Sequence, residues 1–251
     1  MKQMNQTVAA EVEYIPLGEA AILVEFGKAI NLEIHRKVKA LADYLDNNSF
    51  CGMIEYVAAF SSITVFYDPL AVKRSNSRMK QVADQSAFEI VAAILKNLVD
   101  QLDCSTKNNP NIIEIPVCYG GEFGPDLEVV ASHNQLDIDE VIHIHSSGEY
   151  LVYMIGFAPG FPYLGGLDER ISTPRRQSPR TTIPARTVGI AGMQTGVYPI
   201  ATPGGWQLIG RTPIELFRPK QHPPSLLQAG DLVKFKPISL QEYQEYEGES
   251  Q

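Results

Sequence analysis

The sequence predicts a small α+β domain followed by an all-β domain that forms a barrel or a sandwich. Of the 251 residues, 1–108 contain two Pro and three Gly, whereas 109–251 contain fifteen Pro and sixteen Gly. Apolar runs bounded by Gly and Pro are typical of short strands joined by turns. The polar segment 104–111 separates the two patterns, so we place the linker there. The predicted domains are residues 1–107 and 108–251.

The first domain alternates strands and helices. The runs EYIPL and AAILVEF, separated by Gly18-Glu19, predict a strand pair, and MIEYVAAF and SSITVFYD predict two more strands. Apolar residues at helical spacing predict two helices. The first stripe is Leu32, His35, Val38, Leu41, Ala42 and Leu45, and the second is Phe88, Val91, Ala92, Leu95, Leu98, Val99 and Leu102. Short strand connections favour helices on one face of a mainly antiparallel sheet.

The second domain opens with the strand IIEIPVCYG, followed by two short helices. Asp137 and Glu140 have the spacing of a capping box, and Gly148 fits a helix C-terminus. From EYLVYMIGF onward the apolar runs are short and bounded by Gly or Pro, which predicts strands only. The final residues are polar and acidic, so we expect a partly disordered tail from about residue 240.

Charge and composition exclude several classes of function. The net charge of -8 and the isoelectric point near 5.2 argue against sequence-independent nucleic-acid binding. No window approaches the roughly 18 apolar residues of a spanning helix, and the first residues lack the apolar core of a signal peptide. We therefore expect a cytoplasmic protein that does not bind membranes. The three cysteines are widely spaced, and no metal site is expected.

An arginine-rich segment is the most informative feature of this acidic chain. Residues 170–214 contain six arginines and no Asp or Glu: Arg170, Arg175, Arg176, Arg180, Arg186 and Arg211. The guanidinium group binds carboxylate or phosphate through two parallel hydrogen bonds. Arg175 and Arg180 are therefore candidates for an anion site. The alternative is that the arginines pair with Asp168, Glu169 or acids of the first domain.

Two glycine-rich segments predict a ligand pocket. The loop GFAPGFPYLGG, residues 156–166, holds Phe157, Pro159, Gly160 and Phe161 in tight turns that can place aromatic rings over a pocket. Residues 189–213 add the neutral groups of Gln194, Thr195 and Tyr198, the flat ring of Trp206, and Arg211. The alternatives are that the aromatics plug one end of a barrel and that the glycines serve its corners.

The remaining polar candidates are weaker. Glu122 and Asp126 could present two carboxylates across a Gly-Pro turn, although Asp126 also suits the N-cap of the next helix. His143 and His145 are two apart on a predicted helix, so they face different directions and we expect no shared metal. The sequence has no phosphate-binding loop, GxGxxG, GxSxG or HExxH motif, so an enzyme built on this chain would need help from a partner.

Longer segments resemble the KipI family, which includes allophanate hydrolase subunit 1 and the 5-oxoprolinase B subunit (PxpB). The similar segments are EIPVCYGGEFGPDL, YMIGFAPGFPYLGGL, TPRRQSPRTTIPARTVGIAGMQTGVYPIATPGGWQLIGRTP and AGDLVKF, together with IPLGEAAILVEFG and AAFSSITVFYDP. The resemblance covers nearly the whole chain and implies a cyclophilin-like β-barrel as the second domain. One departure is Ala185-Arg186, where the family commonly has Ala-Gly.

The resemblance implies a non-autonomous subunit of an ATP-dependent 5-oxoprolinase that works with a KipA/PxpC-type and a PxpA-type subunit. ATP would be bound with or by a partner. Arg175 or Arg180 would bind the substrate carboxylate, with Glu122 as a further catalytic candidate. The substrate-binding candidates are Phe157, Pro159, Gly160, Phe161, Gln194, Thr195, Tyr198, Trp206 and Arg211.

Three questions stay open at this point. The resemblance also covers inhibitors of a sporulation histidine kinase, so the chain is alternatively a regulator that docks on a sensor kinase. A module that only scaffolds a complex is a third possibility. A urea-derived amide is an alternative to 5-oxoproline as the substrate.

Overall fold

The computed structural model describes residues 12–28, 32–76, 84–102 and 110–249. The chain divides into two compact units, residues 1–108 and 109–251. This division falls one residue from the predicted domain boundary. The predicted linker, residues 104–111, lies outside the described residues except for its last two.

The first unit is built on a four-stranded antiparallel sheet with the order β1-β2-β4-β3. Alternate residues of the two central strands, among them Ile22, Val24, Ile63 and Val65, form one apolar cluster with buried residues of three helices. The helices therefore cover a single face of the sheet, which confirms the α+β prediction. The elements are β1 (Glu13–Pro16), β2 (Ala21–Glu25), α1 (Leu32–Asn47), β3 (Met53–Ala58), β4 (Ser62–Tyr67), α2 (Pro69–Asn76) and α3 (Ala87–Gln101).

The two long helices of this unit follow their sequence signals. His35, Val38, Leu41, Ala42 and Leu45 are the buried residues of α1, as the helical spacing predicts. Burial lowers the pKa of His35 to about 4, with a smaller contribution from Lys39. Helix α3 begins at a capping box in which Ser86 and Glu89 satisfy each other's backbone N–H groups.

The second unit is a closed seven-stranded barrel with the order β10-β7-β6-β13-β5-β12-β9, which confirms the predicted all-β fold. Strands β5 and β13 are parallel, and the other neighbours pair antiparallel. A separate pair is formed by β8 and β11. The strands are β5 (Ile112–Tyr119), β6 (Tyr150–Ile155), β7 (Pro162–Gly165), β8 (Arg180–Ile183), β9 (Thr187–Ala191), β10 (Gln194–Tyr198), β11 (Thr202–Gly204), β12 (Gln207–Arg211) and β13 (Leu232–Pro237).

Strand alternation divides the barrel residues between two apolar clusters. Val188, Ile190 and Val197 belong to the main core, to which all seven barrel strands contribute. Their neighbours Ala191 and Tyr198 belong to a second cluster. Because successive side chains of a strand point to opposite faces, the main core lies inside the barrel and the second cluster lies on its outer face.

Helices α4 (Leu127–Asn134) and α5 (Ile138–Ser147) confirm the two predicted short helices. Asp137 and Glu140 form the predicted capping box, and Gly148 is the C-cap of α5. A short 3-10 helix, Glu169–Ile171, follows β7. No helix in the described ranges combines the length and apolar character needed to span a membrane.

The expectation of a partly disordered tail from about residue 240 is wrong for residues 240–249, which form helix α6 (Leu240–Glu249). Ser239 and Glu242 form a reciprocal cap: Glu242 N–H donates to Ser239 Oγ over 3.2 Å, and Ser239 N–H donates to Glu242 Oε2 over 2.7 Å. Tyr243 is 2% exposed and packs on Phe123 at 4.6 Å between ring centroids. One cap and one buried ring thus order a segment whose composition is polar.

Candidate functional site

Asp126 is the organising residue of the arginine-rich segment. Its carboxylate side chain is 4% exposed and accepts hydrogen bonds from Arg180 at 2.9 Å and Arg176 at 3.1 Å. Its other oxygen accepts from the Leu208 N–H at 2.8 Å, and the Asp126 N–H donates to the Leu208 carbonyl at 2.9 Å. Asp126 precedes α4 but makes no side-chain cap bond there, so the interpretation of its side chain as a helix cap is wrong.

The alternative interpretation, in which the arginines pair with Asp168, Glu169 or acids of the first domain, holds only for Arg170 among the described residues. Arg170 pairs with Asp168 at 2.7 Å, as the alternative held. Arg176 and Arg180 instead share Asp126, an acid of the same unit that lies 50 and 54 residues away. Two guanidinium groups on one carboxylate leave one positive charge uncompensated.

Arg175, Arg176 and Arg180 form what we term the arginine cluster. Arg175 is exposed, and its side chain has no hydrogen bond or ion pair with any residue that the structure describes. Buried nitrogens of the other two, Arg176 Nε and Arg180 Nη1, have no hydrogen-bond partner among the described residues. The guanidinium group of Arg175 is accessible and can bind a carboxylate or phosphate through two hydrogen bonds. The cluster is thus suited to an anion.

The aromatic candidates form a packed cluster on the outer face of the barrel. Phe161 lies at the centre, with ring centroids 5.4 Å from Tyr198, 5.6 Å from Trp206 and 5.4 Å from Phe157, each in an edge-to-face arrangement. Phe161, Tyr198 and Trp206 are buried, whereas Phe157 is 64% exposed. They therefore pack against one another rather than lining an open cavity, and Phe157 is the most exposed ring of these four.

Tyr198 connects the aromatic cluster to the arginine cluster. Burial raises the pKa of Tyr198 to about 12, although a hydrogen bond from the backbone N–H of Trp206 and the positive charges of Arg175 and Arg180 act in the opposite direction. Gly204 of β11 pairs with Arg180 of β8, and a Cβ on Gly204 would lie 2.5 Å from the Tyr198 hydroxyl, so β8 runs close to this phenol. A cationic surface thus borders an aromatic one.

The loop before β7 holds Phe157 in an uncommon conformation. Phe157 has a φ of 65° and Gly160 a φ of 78°. A side chain on Gly160 would place its Cβ 2.9 Å from Phe217 Cβ, so the loop needs glycine at that position. Pro159, beside it, is exposed. A bulky residue kept in the left-handed region is typical of functional loops.

The two neutral candidates of β10 lie on opposite faces. Gln194 is half-buried and shares the outer face with Tyr198, while Thr195 is fully buried in the barrel interior. Thr195 Oγ1 donates to the Gly189 carbonyl at 3.1 Å and lies 2.8 Å from His145 Nε2. Its single hydrogen is already used, so it accepts from His145 Nε2–H and is not free to bind a substrate.

His145 is held neutral inside the barrel. Burial lowers its pKa to about 3, so only one of the two ring nitrogens carries a hydrogen at pH 7. With that hydrogen on Nε2, the Nδ1 atom accepts from the Tyr119 hydroxyl at 2.7 Å. The ring also stacks on Phe235 at 4.6 Å. His145 is therefore a core histidine whose two ring nitrogens are both hydrogen-bonded.

This network predicts the effect of replacing Thr195. Thr195→Val leaves His145 Nε2–H buried without its acceptor, so we expect the free energy of unfolding to fall by about 1–3 kcal/mol. Fluorescence of Trp206, the only tryptophan, reports on urea unfolding of the barrel unit. Thr181→Val, at an exposed threonine of β8, is the matched control. Equal stability of the two variants would contradict the assigned network.

Glu122 and Arg211 contact neither the arginine cluster nor the aromatic cluster. Glu122 is exposed on the turn after β5, and its carboxylate has no hydrogen bond or ion pair within the described residues. Arg211 Nε donates to the Ala185 carbonyl at 3.1 Å, and its guanidinium lies 5.8 Å above the centre of the Phe123 ring. The structure thus does not bring together all of the predicted site residues.

Two residues that shape the site are absent from the predicted set. The sequence favours a helix cap for Asp126, and it carries no signal for Gln207. Gln207 is 6% exposed and donates through Nε2 to the Pro174 carbonyl at 2.9 Å, which fixes the chain just before Arg175. The lack of acids within residues 170–214 signals a distant carboxylate, but no local pattern identifies it.

The sequence matches the family described as "Carboxyltransferase domain, subdomain C and D" over residues 12–227. A protein of Bacillus subtilis (strain 168) named as the B subunit of 5-oxoprolinase is 52% identical over 244 residues, which cover 97% of this chain and 99% of that protein. The chain belongs to the family of 5-oxoprolinase B subunits.

A second named relative and a solved structure are also similar to this chain. The 5-oxoprolinase B subunit of Escherichia coli O157:H7 is 41% identical, covering 88% of this chain and 94% of its own length. The crystal structure of TTHA0988 is similar with a TM-score of 0.73 at 32% identity, covering 87% of this chain and 40% of that one. The family match includes the arginine and aromatic clusters, whereas helix α6 lies beyond it.

Proposed function

We propose that this chain is the B subunit of an ATP-dependent 5-oxoprolinase and that its barrel contributes the carboxylate-binding part of a shared pocket. The observation that carries the proposal is the exposed guanidinium of Arg175, which has no hydrogen bond or ion pair within the described ranges and precedes Arg176 of the Asp126 ion pairs. The relatives named as 5-oxoprolinase B subunits supply the reaction class. The reaction converts 5-oxo-L-proline, ATP and water to L-glutamate, ADP and phosphate.

The arginine cluster suits the carboxylate of 5-oxoproline. Asp126 holds Arg176 and Arg180 in place, and Arg175 remains available for bidentate hydrogen bonding to the carboxylate. The half-buried Gln194 lies on the same outer face as Tyr198 and can hydrogen-bond the lactam, a role that the inward position of Thr195 denies to its hydroxyl. Phosphorylation of the lactam oxygen by ATP would make the ring carbon electrophilic toward water.

A second subunit would complete this pocket. Arg175 and Phe157 are both exposed, so a substrate held against them on this chain alone would stay open to water. Covering that surface would exclude water and strengthen the electrostatic contacts. We propose a KipA/PxpC-type subunit as the cover, with a PxpA-type subunit completing the enzyme. The role of Glu122 as a base stays a prediction.

Reconstitution tests the proposed function. We expect the mixture of this chain with its KipA/PxpC-type and PxpA-type partners to release glutamate from 5-oxoproline in the presence of ATP. Activity should disappear when only this chain is omitted and return when it is added back. Arg170→Gln, which removes a cation paired with Asp168, should restore activity as well as the native chain does. Equal activity with and without this chain would refute the proposal.

The histidine-kinase alternative stays a prediction with its own test. A kinase inhibitor should lower autophosphorylation of a sensor kinase with no 5-oxoproline present, and it should not be needed for glutamate release. The scaffolding alternative predicts full turnover after replacement of every polar group in the arginine cluster.

A further inference from the structure

A second candidate site is a cavity of about 570 Å³ that includes no residue of the arginine cluster. It is lined by three cations, Arg186, Arg218 and Lys220, together with Glu215 and Tyr246. This volume lies within the roughly 300–1,000 Å³ of small-molecule sites. Neither the predicted site residues nor the proposed carboxylate site uses this cavity.

Two of the cations stand on an ordered hairpin. Leu226 N–H donates to the Leu216 carbonyl at 2.9 Å, and Arg218 N–H donates to the Pro224 carbonyl at 2.7 Å. Leu216 is fully buried, which anchors the hairpin in the barrel core. Arg218 and Lys220 lie at its tip. Their backbone is fixed before any ligand arrives, which reduces the entropic cost of binding.

Arg186 is fixed from the opposite side. It has a φ of 69°, a backbone region that non-glycine residues rarely adopt and that clusters at ligand sites. Its guanidinium donates to the Pro213 carbonyl at 3.0 Å and to Glu247 at 2.9 Å. These two bonds orient the side chain and leave further N–H groups of its five for a ligand.

The charge and shape of the cavity indicate its ligand class. The lining holds three cations and one carboxylate, that of Glu215. Arg186 also pairs with Glu247, which is not a lining residue, so one positive charge remains and an anion is favoured locally although the chain carries -8 overall. Arginine forks match phosphate oxygens, and the flat ring of Tyr246 can lie against a heterocycle. We propose that this cavity binds a nucleoside triphosphate, with Arg186, Arg218 and Lys220 on the phosphates. Its identification as the ATP site of the enzyme rests on the proposed function.

The sequence did not indicate whether this chain or a partner binds ATP, and a nucleotide site in this cavity would be on this chain. The chain has no phosphate-binding loop, so a nucleotide bound here would depend on side-chain cations rather than on backbone N–H groups. A ligand held in this way should bind more weakly at high salt, because screening weakens contacts with exposed charges.

Direct binding to the full chain tests the proposal without any partner. Calorimetric titration with ATP and with inorganic tripolyphosphate should show binding to the native chain, whereas adenosine should bind far more weakly. The double variant Arg218→Gln and Lys220→Gln should weaken binding of both phosphate ligands at least tenfold. Lys236→Gln, which removes an exposed cation of β13, and Arg175→Gln should leave this binding unchanged.

Several outcomes would overturn the proposal. They are the absence of ATP binding up to millimolar concentration, undiminished binding by the double variant, adenosine binding as tightly as ATP, and equal weakening by Arg175→Gln. A chain that supports glutamate release but fails to bind ATP would refute this site alone. A chain that binds ATP here but is not needed for turnover would refute the proposed function and leave the site intact.

Discussion

Asp126→Ala is expected to lower the free energy of unfolding of the barrel unit by about 3 kcal/mol. Removal of one partner from a buried ion pair costs roughly 3–5 kcal/mol, because the opposite charge is left without compensation. Here two guanidinium groups and the Leu208 N–H lose their acceptor at once. The lower end of that range applies, since the side chains of Arg176 and Arg180 remain 36% and 24% exposed.

Urea unfolding followed by Trp206 fluorescence measures this change. Glu114→Ala, which removes an exposed carboxylate of β5, is the control and should shift stability by less than about 0.5 kcal/mol. Asp126→Asn keeps the shape of the side chain, so its free energy of unfolding should lie between those of the native chain and Asp126→Ala. An Asp126→Ala variant as stable as the control would show that this carboxylate does not organise the arginine cluster.

Acid is expected to destabilise the barrel through His145, by about 3 kcal/mol between pH 7 and pH 4. The folded-state pKa of about 3 lies below the ordinary value of 6.5, so the unfolded chain binds the proton more readily in the interval between them. The stability from this group is fully present above pH 6.5 and is lost as the pH falls toward 3. Each pH unit in that window costs about 1.4 kcal/mol.

A variant without the titrating ring separates this effect from general acid denaturation. His145→Gln should be less stable than the native chain at pH 7, and the difference between them should shrink by about 3 kcal/mol at pH 4. His143→Gln, at the neighbouring histidine of α5, should follow the native profile. If the unfolding free energies of His145→Gln and the native chain changed in parallel with pH, the assignment of His145 as a buried neutral histidine would be contradicted.

The sequence predicted the fold well because local signals agree with it. The shift in Gly and Pro content separated helix-compatible chain from short strands, and the spacing of His35, Val38, Leu41 and Leu45 matched the buried face of α1. The capping box of Asp137 and Glu140 marked α5 correctly. The same signal occurs at Ser239 and Glu242, but the polar composition of the last residues hid it.

The candidate site was predicted only in part because it depends on contacts between residues far apart in sequence and on which face of a strand each residue occupies. The carboxylate that holds Arg176 and Arg180 comes from a different element, so no local pattern revealed it. Thr195 and Gln194 are adjacent polar residues, and only the register of β10 shows that one faces the barrel core and the other faces outward. Composition identifies residue types suited to binding. Ion pairs and strand register decide which of those residues remain available to a ligand.

The most direct test of the central claim is the KM for 5-oxoproline of the complete three-subunit assembly carrying Arg175→Gln. Loss of a charged hydrogen bond worth about 1.5–3 kcal/mol predicts a fall in kcat/KM of roughly 10- to 150-fold, mainly through a higher KM. Stability should not change, because Arg175 bonds to no described residue, and Arg170→Gln should behave as the native chain does. A native KM and kcat for Arg175→Gln would contradict the carboxylate site.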